Sequence, residues 1–322
     1  MSFKIKLSLI LLLGTALSAC DGFIYDDTKD CPQGVYVNFY SQTLCQTDSS
    51  YLGEVSNLYL LAFDIEGKLV KAITQKDVNL SKNYSVLMPL KGGVYSFIGW
   101  TGLNASFDLT QLKSRLTTKA DVLLKLKQDA KLLELLSGKQ IYQGESLLVH
   151  LPDAKTHGSV YKHTSINLRE RTNRIKVEIE LHESLKGLAN IEDFEVAISS
   201  ANGILNIDGS MPLGGNTIQY PYQKLLQEGR ITANFTLLSL KMGYNNRILL
   251  KNKKSGEVMF SGDLIGSILM KNENVNLDCE NDFTVKFVIK DKCLDCYTYL
   301  CWAIYVNDWI VHSYETEVGT EY

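Results

Sequence analysis

The sequence lacks the features by which many enzymes and nucleic-acid-binding proteins are recognised. Its formal net charge is −3, so it has no basic field for nucleic acid. Its five histidines are scattered and none completes an HExxH pair, and neither a GxSxG elbow nor a Walker loop occurs. No DxDxDG calcium loop is present either. These absences predict a protein that is not an enzyme and has no cofactor, no metal site and no nucleic-acid partner.

Proline and repetitive sequence are also scarce. Five prolines among 322 residues, with no low-complexity tract, argue against a long disordered stalk. The hydrophobic fraction of 45% is ordinary for a globular protein with well-formed cores. The length is typical of two domains.

One long hydrophobic run is present, at the N-terminus. Two lysines precede an apolar stretch at 7–17, which is shorter than the ~20 residues that a membrane-spanning helix needs. The run ends in LSAC at 17–20, which resembles the bacterial lipobox, where lipid is attached to the cysteine before cleavage in front of it. We expect a signal peptide at 1–19 and a lipidated Cys20 that tethers the chain to a membrane. An ordinary signal peptide with a cysteine there by chance is the alternative.

Six of the seven cysteines remain after Cys20. An even number in an exported protein favours disulfides, although the pairing cannot be deduced from the sequence. Unpaired thiols are one alternative, and metal or redox chemistry at the CLDC segment 293–296 is another. A zinc site would need a second ligand pair, and a redox site would need a βαβ context. The disulfide candidates are Cys31, Cys45, Cys279, Cys293, Cys296 and Cys301.

Alternation of apolar and polar residues dominates the chain and predicts strands. It is clear at 35–40, 175–181 and 283–290, and DIEGK at 64–68 is typical of a hairpin turn. The stretch 302–311 is predicted to be one final strand. Many short strands separated by turns predict a mainly all-β protein built from β-sandwiches.

Two segments interrupt this pattern. Residues 119–136 carry apolar side chains at spacings of three and four, which predicts one amphipathic helix in the first domain. We expect it to pack on the sandwich edge, and a membrane-surface or partner helix is the alternative. The polar segment 152–165 is interpreted as a crossover, which predicts domains at 20–158 and 159–322.

Several stretches resemble a known family when they are taken together. They are the lipobox with Cys20, LLAFDIEGKL at 60–69, YSFIGWTGL at 95–103, IYQG at 141–144, INLR at 166–169 and VNDWIV at 306–311. Their order over nearly the whole chain resembles the FimB-type fimbrial anchor lipoproteins. The cysteine-rich stretch 293–301 departs from that pattern.

The resemblance implies two tandem transthyretin-like β-sandwich domains and a lipid anchor at Cys20 in the outer membrane, with the body exposed at the cell surface. It also implies the role of a basal fimbrial subunit that holds the fimbrium, limits its length and has shaft subunits (pilins) as partners. A surface adhesin or glycan-binding lipoprotein is the alternative, with exposed tryptophans such as Trp302 or Trp309 as its ligand platform.

The family also implies a test of which subunit this is. Relatives that form the shaft lose their lipid and first strand to an arginine-specific protease, and a neighbour's strand fills the groove. The first arginine here is Arg115, far beyond the predicted strand at 35–40, so we expect the first strand to stay. Joining would then use the other end of the chain, where the tail 313–322 is either a donor strand or a frayed terminus. The expected pilin contacts are Trp302, Ile304, Val306, Trp309 and Val311.

Overall fold

The computed structural model describes residues 32–227, 229–293 and 298–314, with Cys293 described by its backbone only. The predicted signal peptide, Cys20 and Cys31 lie outside the described residues. No helix within the described ranges has the length and apolar character needed to cross a membrane.

The described chain is mainly β-structure, as predicted. The strands of the first half are β1 Gly34–Tyr40, β2 Gly53–Asp64, β3 Leu69–Leu80, β4 Ser85–Pro89, β5 Gly93–Thr101, β6 Phe107–Leu109, β7 Val122–Leu126, β8 Tyr142–Glu145, β9 Val149–Leu151, β10 Tyr161–Asn167 and β11 Arg169–Glu170. Those of the second half are β12 Thr172–Leu181, β13 Phe194–Ser200, β14 Ile204–Asn206, β15 Ile218–Tyr220, β16 Tyr222–Gln227, β17 Arg230–Leu238, β18 Arg247–Asn252, β19 Val258–Asp263, β20 Asp282–Cys293, β21 Thr298–Val306 and β22 Trp309–Ser313. Two four-residue helices are α1 Ala130–Leu133 and α2 Ala154–His157, and 3₁₀ turns lie at Glu134–Leu136, Glu183–Leu185, Ile191–Asp193 and Leu269–Lys271.

Two sheets pack face to face in the first half. One has the order β10-β1-β4, and the other has the order β11-β8-β5-β2-β3 with β9 also paired to β5. The apolar residues of the alternating strands point inward, so Val37 of β1, Leu60 of β2 and Phe97 of β5 share one core and have no exposed surface. This burial follows from the period of two, which sends every second side chain to the same face.

The second half repeats the arrangement with two larger sheets. Their orders are β16-β17-β12-β20-β21-β22 and β15-β13-β18-β19. β12 runs parallel to β20, and the inward residues Val177, Val285 and Ile198 lie in the core between the sheets. The predicted mainly all-β class is confirmed.

The two halves are joined by a third sheet and by a common core. Its order is β14-β7-β6, so β14 of the second half pairs with β7 of the first, which pairs with β6 on its other side. The indole of Trp100 donates a hydrogen bond to the backbone oxygen of Ile207 over 2.8 Å, and both side chains lie in the same apolar cluster. The halves are therefore packed against each other.

The helix predicted at 119–136 is wrong over most of its length. Residues 122–126 form β7, which pairs with β6 on one side and β14 on the other. Only α1 and the 3₁₀ turn after it are helical, and Asp129 caps the backbone nitrogen of Leu132. Apolar residues at 122, 123, 124 and 126 also suit a strand buried among neighbours, and those neighbours come from distant parts of the chain.

The predicted crossover at 152–165 contains α2 and the start of β10. β10 runs parallel to β1, with Val37 opposite Thr164, and β11 pairs with β8. The sheets of the first half therefore extend to Glu170, past the boundary expected at 158. A polar strand such as β10 carries little of the alternation that marks the other strands, because four of its seven residues are exposed.

Candidate functional site

The first strand, β1, is closed in on both sides. β10 pairs with it in parallel over Gly34 to Tyr40, and β4 pairs with it antiparallel over Gly34 to Asn38. Its inward side chains Val35, Val37 and Phe39 are at most 2% exposed. Burial of such side chains contributes roughly 1.5–3 kcal/mol each. β1 is thus an integral core strand of the first sandwich.

A glycine at the start of β1 permits this close packing. A Cβ at Gly34 would lie 2.6 Å from the carbonyl oxygen of Met88 in β4. The backbone nitrogen of Gly34 also donates to the oxygen of Val160, just before β10, over 3.2 Å. The first strand is therefore bonded to its neighbours from its first residue.

The C-terminal stretch is a hairpin, where one strand at 302–311 was predicted. β21 and β22 are joined by Asn307 and Asp308, whose φ angles are 49° and 64°. Positive φ at both central residues is the geometry of a type I′ turn, which matches the twist of a two-residue hairpin. The side-chain oxygen of Asn307 accepts a hydrogen bond from the backbone nitrogen of Thr284 over 2.9 Å, which fixes the turn against β20.

The hairpin separates the five residues expected to contact a pilin. Ile304 and Val306 are 1% and 0% exposed on the core side of β21, so they are core residues rather than contact residues. Trp302 and Val311 are half-buried. Trp309 is 57% exposed on β22, the edge strand of the six-stranded sheet. The alternation of apolar residues showed that this stretch has an apolar face, but not whether that face packs on the protein's own core or on a partner.

The ring of Trp302 is already engaged within the protein. Its centroid lies 5.0 Å from that of His182 in an edge-on arrangement, and the ammonium of Lys290 lies 5.4 Å from it. A glycan platform needs an open ring face. Trp309 is the more exposed of the two tryptophans, so it is the better candidate for such a platform.

The cysteines divide into different environments. Cys45 and Cys279 form a disulfide that joins the loop after β1 to the loop before β20, across a sequence separation of 234. Cys301 has a free, buried thiol, so its expected disulfide is not formed. Burial raises the pKa of this thiol to about 12, which makes it unreactive at neutral pH. Cys31 and Cys296 lie outside the described residues, as does the side chain of Cys293.

Serine, histidine and aspartate side chains meet at one place on the surface. The hydroxyl of Ser184 donates to Asp291 over 2.7 Å, and Nδ1 of His182 accepts from the backbone nitrogen of Ser184 over 3.2 Å. In an acyl-transfer triad the carboxylate orients the histidine and the histidine takes the serine proton. Nδ1 of His182 also lies 3.0 Å from the hydroxyl oxygen of Ser184, but that hydroxyl donates its proton to Asp291, and the histidine caps a 3₁₀ turn. No group of three or more metal-binding side chains occurs in the described ranges.

Comparison with known proteins agrees with this architecture. The family model described as fimbrillin-A associated anchor proteins Mfa1 and Mfa2 matches residues 27–315. The chain belongs to this family of anchor proteins. The family resemblance inferred from the sequence motifs is thereby confirmed.

Individual relatives of this anchor-family chain extend the comparison. The minor fimbrium anchoring subunit Mfa2 of Porphyromonas gingivalis is 37% identical over 318 residues, 98% of this chain and 96% of that protein. The solved structure of the fimbrial anchor protein Mfa2 from the same organism has a TM-score of 0.77 at 35% identity, covering 88% of this chain and 100% of that one. A structure from Bacteroides thetaiotaomicron described as a putative polysaccharide-binding protein has a TM-score of 0.71 at 24% identity, covering 88% and 99%. This last likeness concerns the fold alone.

Proposed function

We propose that the protein is an outer-membrane lipoprotein and the basal anchor subunit of a fimbrium, held by lipid on Cys20. The observation that carries the proposal is the closed first strand. Because β1 pairs with β4 and β10 and buries three side chains, the groove that a shaft subunit would offer to a neighbour's strand is already filled by the protein's own chain.

The positions of the arginines support the same role. Arg115 is the first arginine of the chain and lies exposed between β6 and β7. Cleavage there would separate six strands from the rest of the protein. An arginine-specific protease of the kind implied for shaft subunits therefore cannot remove β1 and the lipid alone.

The distance from the lipid to the body is short. Residues 21–33 connect Cys20 to Gly34, and a chain of this length reaches at most about 50 Å. The body would therefore stay close to the membrane, facing the cell surface. Because its groove is filled, the tethered subunit cannot accept a strand from another subunit at the end that carries β1. The fimbrium therefore cannot be extended beyond this subunit, which gives a physical reason for limiting its length.

Attachment to the first shaft subunit would then use the C-terminal end. β22 lies at the edge of its sheet and exposes Trp309 and Ile310. The tail that follows it, of which 315–322 lie outside the described residues, would either extend into a groove of the pilin or remain a frayed terminus.

Membrane fractionation of a Cys20→Ser variant tests the proposal. The variant should move from the membrane fraction to the soluble one, and fimbriae should be shed into the medium. Cys31→Ser, which changes a cysteine beyond the predicted cleavage site, should stay in the membrane. Retention of Cys20→Ser in the membrane would contradict the proposed anchor.

A surface adhesin is the second candidate function, and the 57% exposure of Trp309 is the observation that favours it. Glycan-array binding by the purified protein that is lost in Trp309→Ala, with fimbrial attachment unchanged, would support the adhesin over the anchor.

A further inference from the structure

A polar cleft of about 300 Å³ lies where the two halves meet. It is bordered by the loop after β1, by β11, and by the loops that precede β15, β18 and β20. Three cationic side chains line it, Arg169, Arg171 and Lys241. We call it the junction cleft.

Arg171 is a half-buried cation that has no ion-pair partner among the residues the structure describes. Its Nη2 donates to the amide oxygen of Gln143 over 2.5 Å, while its Nε is buried with no hydrogen-bond partner in the described part of the chain. None of the ion pairs among the described residues includes Arg171. A partly buried guanidinium whose Nε has lost contact with water is costly unless something pairs with it.

The surroundings of Arg171 are shaped around its guanidinium. Gly209 lines the cleft with a φ of +80°, and a Cβ there would lie 2.9 Å from Nη2 of Arg171 and 2.5 Å from the amide oxygen of Gln143. Gln143 itself is 1% exposed, and its Nε2 also has no partner among the described residues. Burial, and then repulsion from Arg169, lower the pKa of Arg171, while Asp208 opposes that shift.

The negative charges at the cleft do not cancel its cations. Glu170 lines the cleft but is ion-paired with Arg174, which also bonds Asp282. Asp208, next to Gly209, accepts hydrogen bonds from the backbone and hydroxyl of Ser210. Asp278 is the remaining carboxylate in the lining, and it is exposed. The three positive charges of Arg169, Arg171 and Lys241 therefore exceed the single negative charge, that of Asp278, that is not already engaged elsewhere.

We propose that the junction cleft binds a carboxylate side chain carried by an acidic polypeptide segment of a partner protein. Guanidinium groups match the planar, two-oxygen shape of a carboxylate. Small-molecule sites are mostly apolar and aromatic, whereas this cleft has a polar lining with no aromatic ring, as suits one charged group protruding from a larger partner. The inference does not depend on the anchor role proposed above.

Fluorescence anisotropy with the detergent-solubilised full chain tests the site. The probe is a labelled heptapeptide of alternating glycine and glutamate, and the same peptide with glutamine is its control. The glutamate peptide should bind, more weakly at higher salt because charges are screened, and the glutamine peptide should not. Arg169→Gln should weaken binding about tenfold, the loss of one charge-assisted hydrogen bond.

Matched variants make the result decisive. Arg247 is exposed on β18, outside the cleft, and donates to the hydroxyl of Ser261 over 2.9 Å; Arg247→Gln should leave binding unchanged. Arg171→Gln should also weaken binding, but if it unfolds the protein, the result for Arg169→Gln decides. Equal binding by wild type and Arg169→Gln, or equal loss in Arg247→Gln, would overturn the proposal. So would Arg169-dependent binding of an oligogalacturonate without binding of the glutamate peptide, since that would assign the cleft to an acidic glycan.

Discussion

The first and last strands of the described chain differ in how they are held. β1 has a neighbour on each side and buries Val35, Val37 and Phe39. β22 ends its sheet, pairs with β21, and leaves Trp309 57% and Ile310 48% exposed. A strand of the first kind cannot leave without opening the core, whereas a strand of the second kind presents side chains to a partner. The difference suits the proposed anchor role, in which the end that carries β1 is closed and the end that carries β22 is available to a partner.

The largest expected effect comes from one charge placed in each strand. Val37→Asp buries a carboxylate among apolar side chains in β1 and should cost at least about 4 kcal/mol or abolish folding. Ile310→Asp in β22 should cost less than about 1 kcal/mol, because the side chain is half exposed. Urea unfolding followed by tryptophan fluorescence measures both. Similar losses in the two variants would remove the distinction between the strands.

The disulfide should be the next largest contribution. The Cys45→Ser, Cys279→Ser double variant releases the loop that follows β1 from the loop before β20, and should lower the free energy of unfolding by about 2–5 kcal/mol. Thr47→Ala, in the same loop, serves as the control and should have little effect. An unchanged unfolding midpoint in the double variant would mean that β1 needs no such tether.

The turn that creates the last strand should be moderately sensitive. Asn307→Val places a β-branched residue at positive φ and removes the hydrogen bond from Thr284, which together should cost about 1–3 kcal/mol. Asn307→Gly loses the same bond but tolerates the backbone conformation, so it should cost less. Thermal unfolding compares the two, and a larger loss for glycine would argue against the type I′ turn.

Cys301 on β21 should make stability depend on alkaline pH. Burial raises its pKa to about 12 from the ordinary 9.0, so the folded state favours the neutral thiol. This contribution is complete below pH 9 and is lost as the pH rises toward 12. Between pH 8 and pH 10, wild type should lose about 1 kcal/mol more than Cys301→Ala. Equal losses would indicate that the thiol is not buried.

The smallest effect on stability is expected at the exposed tryptophan. Trp309→Ala should change the free energy of unfolding by no more than about 0.5 kcal/mol, but should reduce the amount of shaft subunit that co-purifies with the protein. Trp302→Ala is the comparison, and it should cost more stability because the ring contacts His182 and Lys290. Normal co-purification with Trp309→Ala would leave β22 without a role in attachment.

Much of the fold could be predicted because the relevant signal is local. The alternation at 35–40, 175–181 and 283–290 anticipated β1, β12 and β20, since the alternating apolar residues of each run face the core. The turn at the end of β21 had a sequence signal, the Asn-Asp pair between two alternating runs. It was missed because the alternation continues across a two-residue turn, so that 302–311 has the pattern of one strand.

The junction cleft was harder to predict from the sequence than the strands were. Arg169, Arg171 and Arg174 lie within six residues of one another, yet the structure gives them different roles. Arg174 forms ion pairs with Glu170 and Asp282, whereas Arg169 and Arg171 line the cleft without an ion pair among the described residues. Only the positions of the surrounding loops distinguish a paired arginine from an available one.

The sequence by itself determined the alternating strands and the family, because both are carried by the order of neighbouring residues. The tertiary structure alone decided that residues 122–126 form a strand, that Cys45 meets Cys279, and that Val306 faces the core. It also closed β1 with β10, more than a hundred residues further along the chain. These outcomes depend on which distant segments pair, and pairing is selected by the burial and backbone hydrogen bonds of the whole fold rather than by the pattern of any one segment.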